Sequence, residues 1–431
     1  MGEKFTLKRE LGLLEITLSG VGSILGAGIY VLIGKASGLS GNALWLSFLF
    51  AAIAAGLTAI SYMELSSMFP KAGAEYEYVR NAFGEFLGLL IGLMVVFVEI
   101  ISSSTVALGF AGYFGVLFHT PAIPSAIALI LLFTLILLVG IKQSARAAIL
   151  MTVIEVLGLF VIIFIGLPYI GSVDYLEVQS LSGIFEASAL VFFAFLGFEE
   201  IVKLSQETKD PHRTTPRALI LAIAITVLLY MLVAVAAVSV LDWRILSTSS
   251  VPLAEVASVA LGRNAFVILS LIALFSTANT VLLMQLGGSR ILYGMAESGS
   301  LPSLISRVHP RTRTPWVSIL VFTAISIMFV FIGDIAVVAN MANFMVFIVF
   351  ITINLSLIWL RYSRPYIERP FKIPFNIGSF PLSPLFGILC TLLLFAHLSL
   401  EVIVYGFILL LVGFMVVFIR LKSQSNFKQV K

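Results

Sequence analysis

The sequence predicts an all-α polytopic membrane protein with about 12 transmembrane helices. Three observations carry that reading. Hydrophobic residues make up 60% of the 431 positions and charged residues only 11%, against roughly a quarter charged in a soluble domain. Mean hydropathy is +1.10. Uncharged apolar runs recur along the whole chain, for example 43–60, 218–241, 264–289, 335–360 and 402–419, each near the roughly 20 residues a spanning helix needs. A membrane β-barrel would instead alternate polar and apolar positions in segments of about ten.

In chain order, the length rule gives helix cores at 13–34, 41–67, 85–115, 122–141, 147–170, 183–204, 217–240, 265–296, 315–332, 335–360, 380–399 and 401–420. Charge in the connections supports this layout. With a cytoplasmic N-terminus, 23 of the 26 basic residues fall on cytoplasmic connections and tails, from Lys4, Lys8 and Arg9 through Lys203, Lys209 and Arg290 to Arg420, Lys422, Lys428 and Lys431. Only Lys35, Arg244 and Arg263 fall outside. That is the positive-inside bias, so both termini are expected in the cytoplasm of a multi-pass cell-membrane protein. The net charge of +4 then needs no nucleic-acid partner.

The first span contains "SGVGSILGAGIY" (Ser19–Tyr30), with glycines at 20, 22, 26 and 28. Glycine weakens a helix by about 1 kcal/mol relative to alanine. Two readings are open. Gly22 and Gly26 form a GxxxG pattern, which lets helices pack closely. Alternatively the span is broken, and bare peptide groups face a ligand at mid-membrane. The sixth span, "ALVFFAFLGFEEIVKL", again has a central glycine, Gly197, followed by Glu199 and Glu200. Interruptions at matching places in two halves point to a transporter site, which favours broken helices at both. Successive helical residues point about 100° apart, so one of the two acids faces the site, and Glu199 is the choice.

Other acids lie at membrane depth. Glu155 in the fifth span needs a proton or a cation, which makes it a candidate proton carrier, a sodium ligand with Ser276 or Thr277, or a neutral acid bonded to a facing helix. Glu99 in the third span is followed by "IISSST", and Ser102–Thr105 are expected to satisfy it locally. Glu64 and Glu75 are read as solvated near cytoplasmic ends. Pro216 is read as a helix start. Arg290 is read as pairing with an acid near the cytoplasmic face. The loop "RYSRPYIERPFKIP" reads as basic, irregular and in reach of anionic lipid.

Cys390 is the only cysteine, the four histidines are scattered, and no metal-ligand spacing occurs. No GxxxxGK[ST] loop appears, so nucleotide drive is not expected. No metal or other cofactor is expected, and an intramembrane enzyme lacks its clustered nucleophiles or ligands.

The stretches "GSILGAGIY", "FPKAGAEYEYVRNAFG", "FFAFLGFEEIVKLSQETKDPHRTTPRA", "STANTVLLMQLGGSRILYGMAESGSLP" and "RYSRPYIERPFKIP" occur in this order over residues 10–372. Together they resemble the amino acid–polyamine–organocation permeases, which share the leucine-transporter fold. The resemblance implies one permease domain (1–431) with a 5+5 inverted repeat, residues 12–171 and 182–361, discontinuous helices 1 and 6, and two further helices over 380–420. It implies alternating-access amino acid transport by proton symport or exchange, with polyamine or sodium-coupled carriage as alternatives. The implied site comprises Ser23, Ile24, Gly26, Ala27 and Gly28 with Phe193, Phe195, Leu196 and Gly197. Amides at Ala27 and Gly28 would take the carboxylate. Carbonyls of Ile24, Phe193 and Leu196 would take the ammonium. Phe198 would lie nearby. Glu155, Glu199 and Glu99 are the candidates for coupling. Some relatives carry lysine at the position of Glu155, so the chain departs from that pattern.

Overall fold

The computed structural model describes residues 7–249, 251–331, 335–398 and 400–429. Lys4 and Lys431 lie outside them, as do the side chains of Ala27, Arg263, Arg420, Lys422 and Lys428. The chain is built from helices α1 (Leu13–Ser40), α2 (Leu44–Met68), α3 (Ala74–Phe83), α4 (Glu85–Phe118), α5 (Ala122–Val139) and α6 (Ile141–Gly166). The sixth span divides into α7 (Leu181–Val191) and α8 (Glu200–Lys203). Then follow α9 (Pro211–Val240), α10 (Trp243–Thr248), α11 (Pro252–Leu261), α12 (Arg263–Glu297), α13 (Trp316–Val330) and α14 (Ile335–Ser363). A two-stranded hairpin, β1 (Asn376–Ile377) with β2 (Phe380–Pro381), leads into α15 (Leu382–Phe395) and α16 (Leu400–Gln429).

Among the described residues each predicted core falls mainly on one helix, except 183–204, which falls on two separated by a break. Length and apolarity give nine full spans among the described residues, or ten if α15 and α16, bent by 117° at their junction, count as one. The three of twelve that do not count singly are α13 with 15 residues, α15 with 14, and α16, which passes only together with α15. Three short helices were not predicted. Helix α3 is amphipathic and charged, and α10 and α11 have 6 and 10 residues, so a rule built on bilayer thickness passes over them. Helix α9 starts at Pro211, whose missing N–H costs nothing at the first position, and Pro216 sits inside it, not at its start.

Charged and polar side chains are buried within the bundle's apolar core, while large apolar ones cover its outside, the arrangement a bilayer permits. Leu132, Leu157, Leu228 and Met415 are exposed, whereas Glu155, Lys203, Arg290 and Asn279 are buried. Helix α1 lies at the centre, against α6, α7, α9 and α12, and α12 also packs along α4.

Candidate functional site

Helix α1 is broken at Gly26, whose φ of 0° and ψ of −157° leave the helical region. Ala27 and Gly28 open its second half. The sixth span loses its α-helical winding after Val191. It passes through a 3-10 turn at Phe192–Phe195 and an extended Leu196. Gly197 then takes φ +117°, a conformation that costs other residues far more than glycine. Helix resumes at Glu200.

The two breaks touch. A Cβ on Gly28 would lie 2.5 Å from the Cα of Ala194, and one on Gly197 would lie 2.6 Å from the carbonyl oxygen of Ser23. Close packing and broken winding therefore coexist: the glycines of the first span serve both readings. The phenol of Tyr230 on α9 lies 2.6 Å from the carbonyl of Ile24 and 2.7 Å from that of Ala194, so its one proton is shared between the two segments. Phe195 meets Tyr230 and Phe48 edge-on, with ring centroids 5.1 and 6.4 Å away. Of the three carbonyls expected to face an ammonium, Ile24 accepts from Tyr230 and Phe193 accepts from the Leu196 amide at 3.2 Å. Phe193 and Leu196 are half-buried, while Phe195, Gly197 and Phe198 are buried.

Behind the α1 break, α6 and α12 form a second polar site. Ser276 donates to Glu155 Oε1 at 2.6 Å. The Asn279 amide donates to Thr152 at 2.9 Å, and Tyr30 donates to the backbone carbonyl of Glu155 at 2.9 Å. Glu155 Oε2 and Asn279 Oδ1 are buried acceptors with no hydrogen-bond partner among the described residues, and an orphaned buried acceptor is costly. A side chain at Gly22 would run into Thr152 and Asn279, so α1 reaches this site through its small residues. Thr277 does not join it: its hydroxyl bonds back to Ala273 and Leu274 in its own helix, as threonine does in membrane helices.

A third group lies under the sixth-span break. Glu99 is not satisfied by the serines that follow it; Ser104 bonds Ile100 and Ser326 instead. Its partner is the Lys203 ammonium, which also bonds Glu200. Lys203 is therefore not a solvated topology signal but a fully buried cation. Glu199 accepts from the Gly197 amide at 2.9 Å, pinning the break. Glu199 also lines a cavity of about 10 Å³, room for one water-sized molecule, together with Tyr62, Glu75, Glu99 and Phe350. Glu200 is turned away, against Gly287 and Lys203.

Both acids expected in solvent are buried. Glu64 pairs with Arg361 at 2.6 Å and Arg369 at 3.2 Å, drawing the loop after α14 onto α2. Glu75 accepts from Tyr62 at 3.3 Å. It sits on α3, outside the spans, and burial pushes its carboxyl up to about 7 even though the Lys203 charge opposes this. Arg290 makes a two-point pair with Glu207 at 2.9 and 3.0 Å, both buried. The Glu207 carbonyl in turn accepts from the amides of Glu10 and Leu11, so α12, the segment after α8 and the segment before α1 close together on one side of the bundle.

Lys203, Tyr230 and Glu75 were not singled out from sequence as parts of a site. A signal existed for Lys203, which follows Glu199 and Glu200 at helical spacing. For Tyr230 it was only a lone phenol in an apolar span.

The sequence model described as amino acid permease matches residues 11–424. The branched-chain amino acid permease BcaP of Bacillus subtilis is 30% identical, over 99% of this chain and 96% of its own length. The methylthioribose transporter of the same organism is 30% identical, over 86% of this chain and 85% of its own. Cationic amino acid transporter 4, vacuolar, of Arabidopsis thaliana is 31% identical over 83% of this chain, which spans 64% of that longer protein.

Proposed function

The chain belongs to the amino acid permease family, and from that premise we propose that it is a secondary transporter of amino acids, working by alternating access and driven by protons. The observation that carries the reading is the contact between two broken spans at Gly28–Ala194 and Ser23–Gly197. Peptide groups freed from helical bonding recognise the two ends common to all amino acids. The N–H groups of Ala27 and Gly28 stand at the positive end of a half-helix and take the carboxylate. The ammonium takes the carbonyls of Ile24, Phe193 and Leu196. Two of these are engaged by Tyr230 and the Leu196 amide, so binding exchanges internal hydrogen bonds for ligand ones.

In this reading residues 12–171 and 182–361 form the inverted halves, both termini are cytoplasmic, and the membrane is the plasma membrane. Glu155 carries the proton. Its Oε2 is a buried acceptor without a hydrogen-bond partner among the described residues, and protonation turns that oxygen into a donor, which supports this. The same proton, once released, leaves a charge behind the α1 break, which links proton binding to the site. Relatives named as carriers of branched-chain and of cationic amino acids support an amino acid as cargo.

The test is uptake of labelled amino acids into proteoliposomes under an imposed pH gradient. The wild type is expected to accumulate at least one amino acid when the outside is acidic. Glu155→Gln, locked in the neutral form, is expected to exchange amino acids but to lose gradient-driven accumulation by tenfold or more. Equal accumulation by both proteins defeats the assignment of Glu155, and no uptake of any amino acid defeats the whole reading.

A further inference from the structure

Four carboxylates, Glu75, Glu99, Glu199 and Glu200, converge beneath the sixth-span break. Oxygens of the last three lie within 4.8 Å of one another. Such a group is a built cation site, and the structure shows a cation in it: the ammonium of Lys203, fully buried and bonded to Glu99 and Glu200. Glu75 Oε2, buried and on the wall of the same cavity, has no hydrogen-bond partner among the described residues. The cluster also adjoins the place where an amino acid would be held. Glu199 is bonded to the Gly197 amide, Gly197 lies against Ser23, and the next residue, Phe198, meets Tyr62 edge-on at 5.5 Å on the cavity side.

We propose that Lys203 is a specificity-determining residue: its ammonium fills a cation position under the broken sixth span, so the chain accepts amino acids with uncharged side chains and rejects those with cationic ones. This rests on the reading of the protein as an amino acid transporter. The reasoning is electrostatic. A lysine or arginine side chain pointing down from the break needs a carboxylate partner to leave water. Each acid there is already engaged: Glu99 and Glu200 by Lys203, Glu199 by the Gly197 amide and Glu75 by the Tyr62 phenol. A second positive charge arriving there meets repulsion in a medium that screens it poorly. Rejection is thus built from an internal positive charge, a form of discrimination against the wrong ligand rather than attraction to the right one. Removal of the Lys203 charge leaves buried carboxylates unpaired, and a ligand ammonium then supplies what the protein lacks.

The experiment is competition binding with the full chain in detergent, using labelled leucine and unlabelled leucine, lysine and arginine. In the wild type, lysine and arginine are expected to compete at least 100-fold more weakly than leucine. Lys203→Met is expected to narrow that gap at least tenfold. Lys203→Arg, which keeps the charge, is expected to retain the wild-type gap. The double variant Glu99→Gln with Lys203→Met is expected to lose the gain, because an acid that would attract the ligand is gone. Effective competition by lysine or arginine in the wild type overturns the proposal, as does an unchanged gap in Lys203→Met. If Lys203→Met does not fold, the wild-type competition and the Lys203→Arg gap decide. Wild type that binds no amino acid at all, leucine included, marks failure of the transport reading instead.

Discussion

At the scale of single residues, the interior is governed by where buried charge finds a partner. Glu64, Glu99, Glu200 and Glu207 each meet a basic side chain, whereas Glu155 accepts from the Ser276 hydroxyl and meets no basic side chain among the described residues. That contrast is why Glu155 is assigned the mobile proton and the paired acids are not. Glu75 is intermediate: it holds a phenol on one oxygen and nothing on the other among the described residues. Its folded value of about 7 lies above the ordinary carboxyl value of 4.5. A raised carboxyl favours folding in its protonated form, so its contribution is full below the unfolded value and is lost as pH rises to about 7. The shift corresponds to up to roughly 3 kcal/mol. Glu75→Gln keeps the bond from Tyr62 and cannot ionise. Thermal melts of the two proteins between pH 5 and 7.5 are expected to diverge, with the wild type losing several degrees more than Gln. Parallel melting curves would show that Glu75 does not titrate in this range.

At the scale of elements, function comes from helices that fail to complete themselves. A continuous helix satisfies all its own peptide groups, which is why lipid selects it, and for the same reason it has none to offer a ligand. The breaks in α1 and in the sixth span release such groups, and the bundle shields them from lipid. Their contact leaves no room for a side chain at Gly28, because the opposing atom is backbone. Gly28→Ala must push the two segments apart, at a cost of about 1–3 kcal/mol for overpacking. It is expected to weaken leucine binding tenfold or more. Gly56→Ala on α2, where nothing lies within 4 Å of the new methyl, is expected to leave binding unchanged and helix propensity improved. Equal binding by wild type and Gly28→Ala would show that the close contact is not part of the site.

At the scale of the whole molecule, the sequence made the spans legible because bilayer thickness sets their length, and the central glycines made the breaks legible because they are poor helix formers placed where no turn is needed. What stayed hidden depends on contacts between distant segments. Lys203 sits at the end of a span, and a rule that reads basic residues at span ends as solvated assigns it to the cytoplasm. Its burial depends on Glu99, 104 residues earlier. Glu64 is likewise buried only because Arg361 and Arg369, some 300 residues later, fold back over it. The site of the proposed proton was legible as far as Glu155 and Ser276. Thr277 follows Ser276 on α12 but its hydroxyl turns into the backbone, and no sequence rule fixes that rotamer. The central claim is that two broken spans hold a zwitterion by its two charged ends. Its most direct measurement is competition against labelled leucine uptake in proteoliposomes by leucine, by its decarboxylated amine and by its deaminated acid. Leucine is expected to compete and both truncated analogues to fail by at least 100-fold. Competition by the amine as strong as that by leucine would mean the Ala27 and Gly28 amides hold no carboxylate, and would contradict the account.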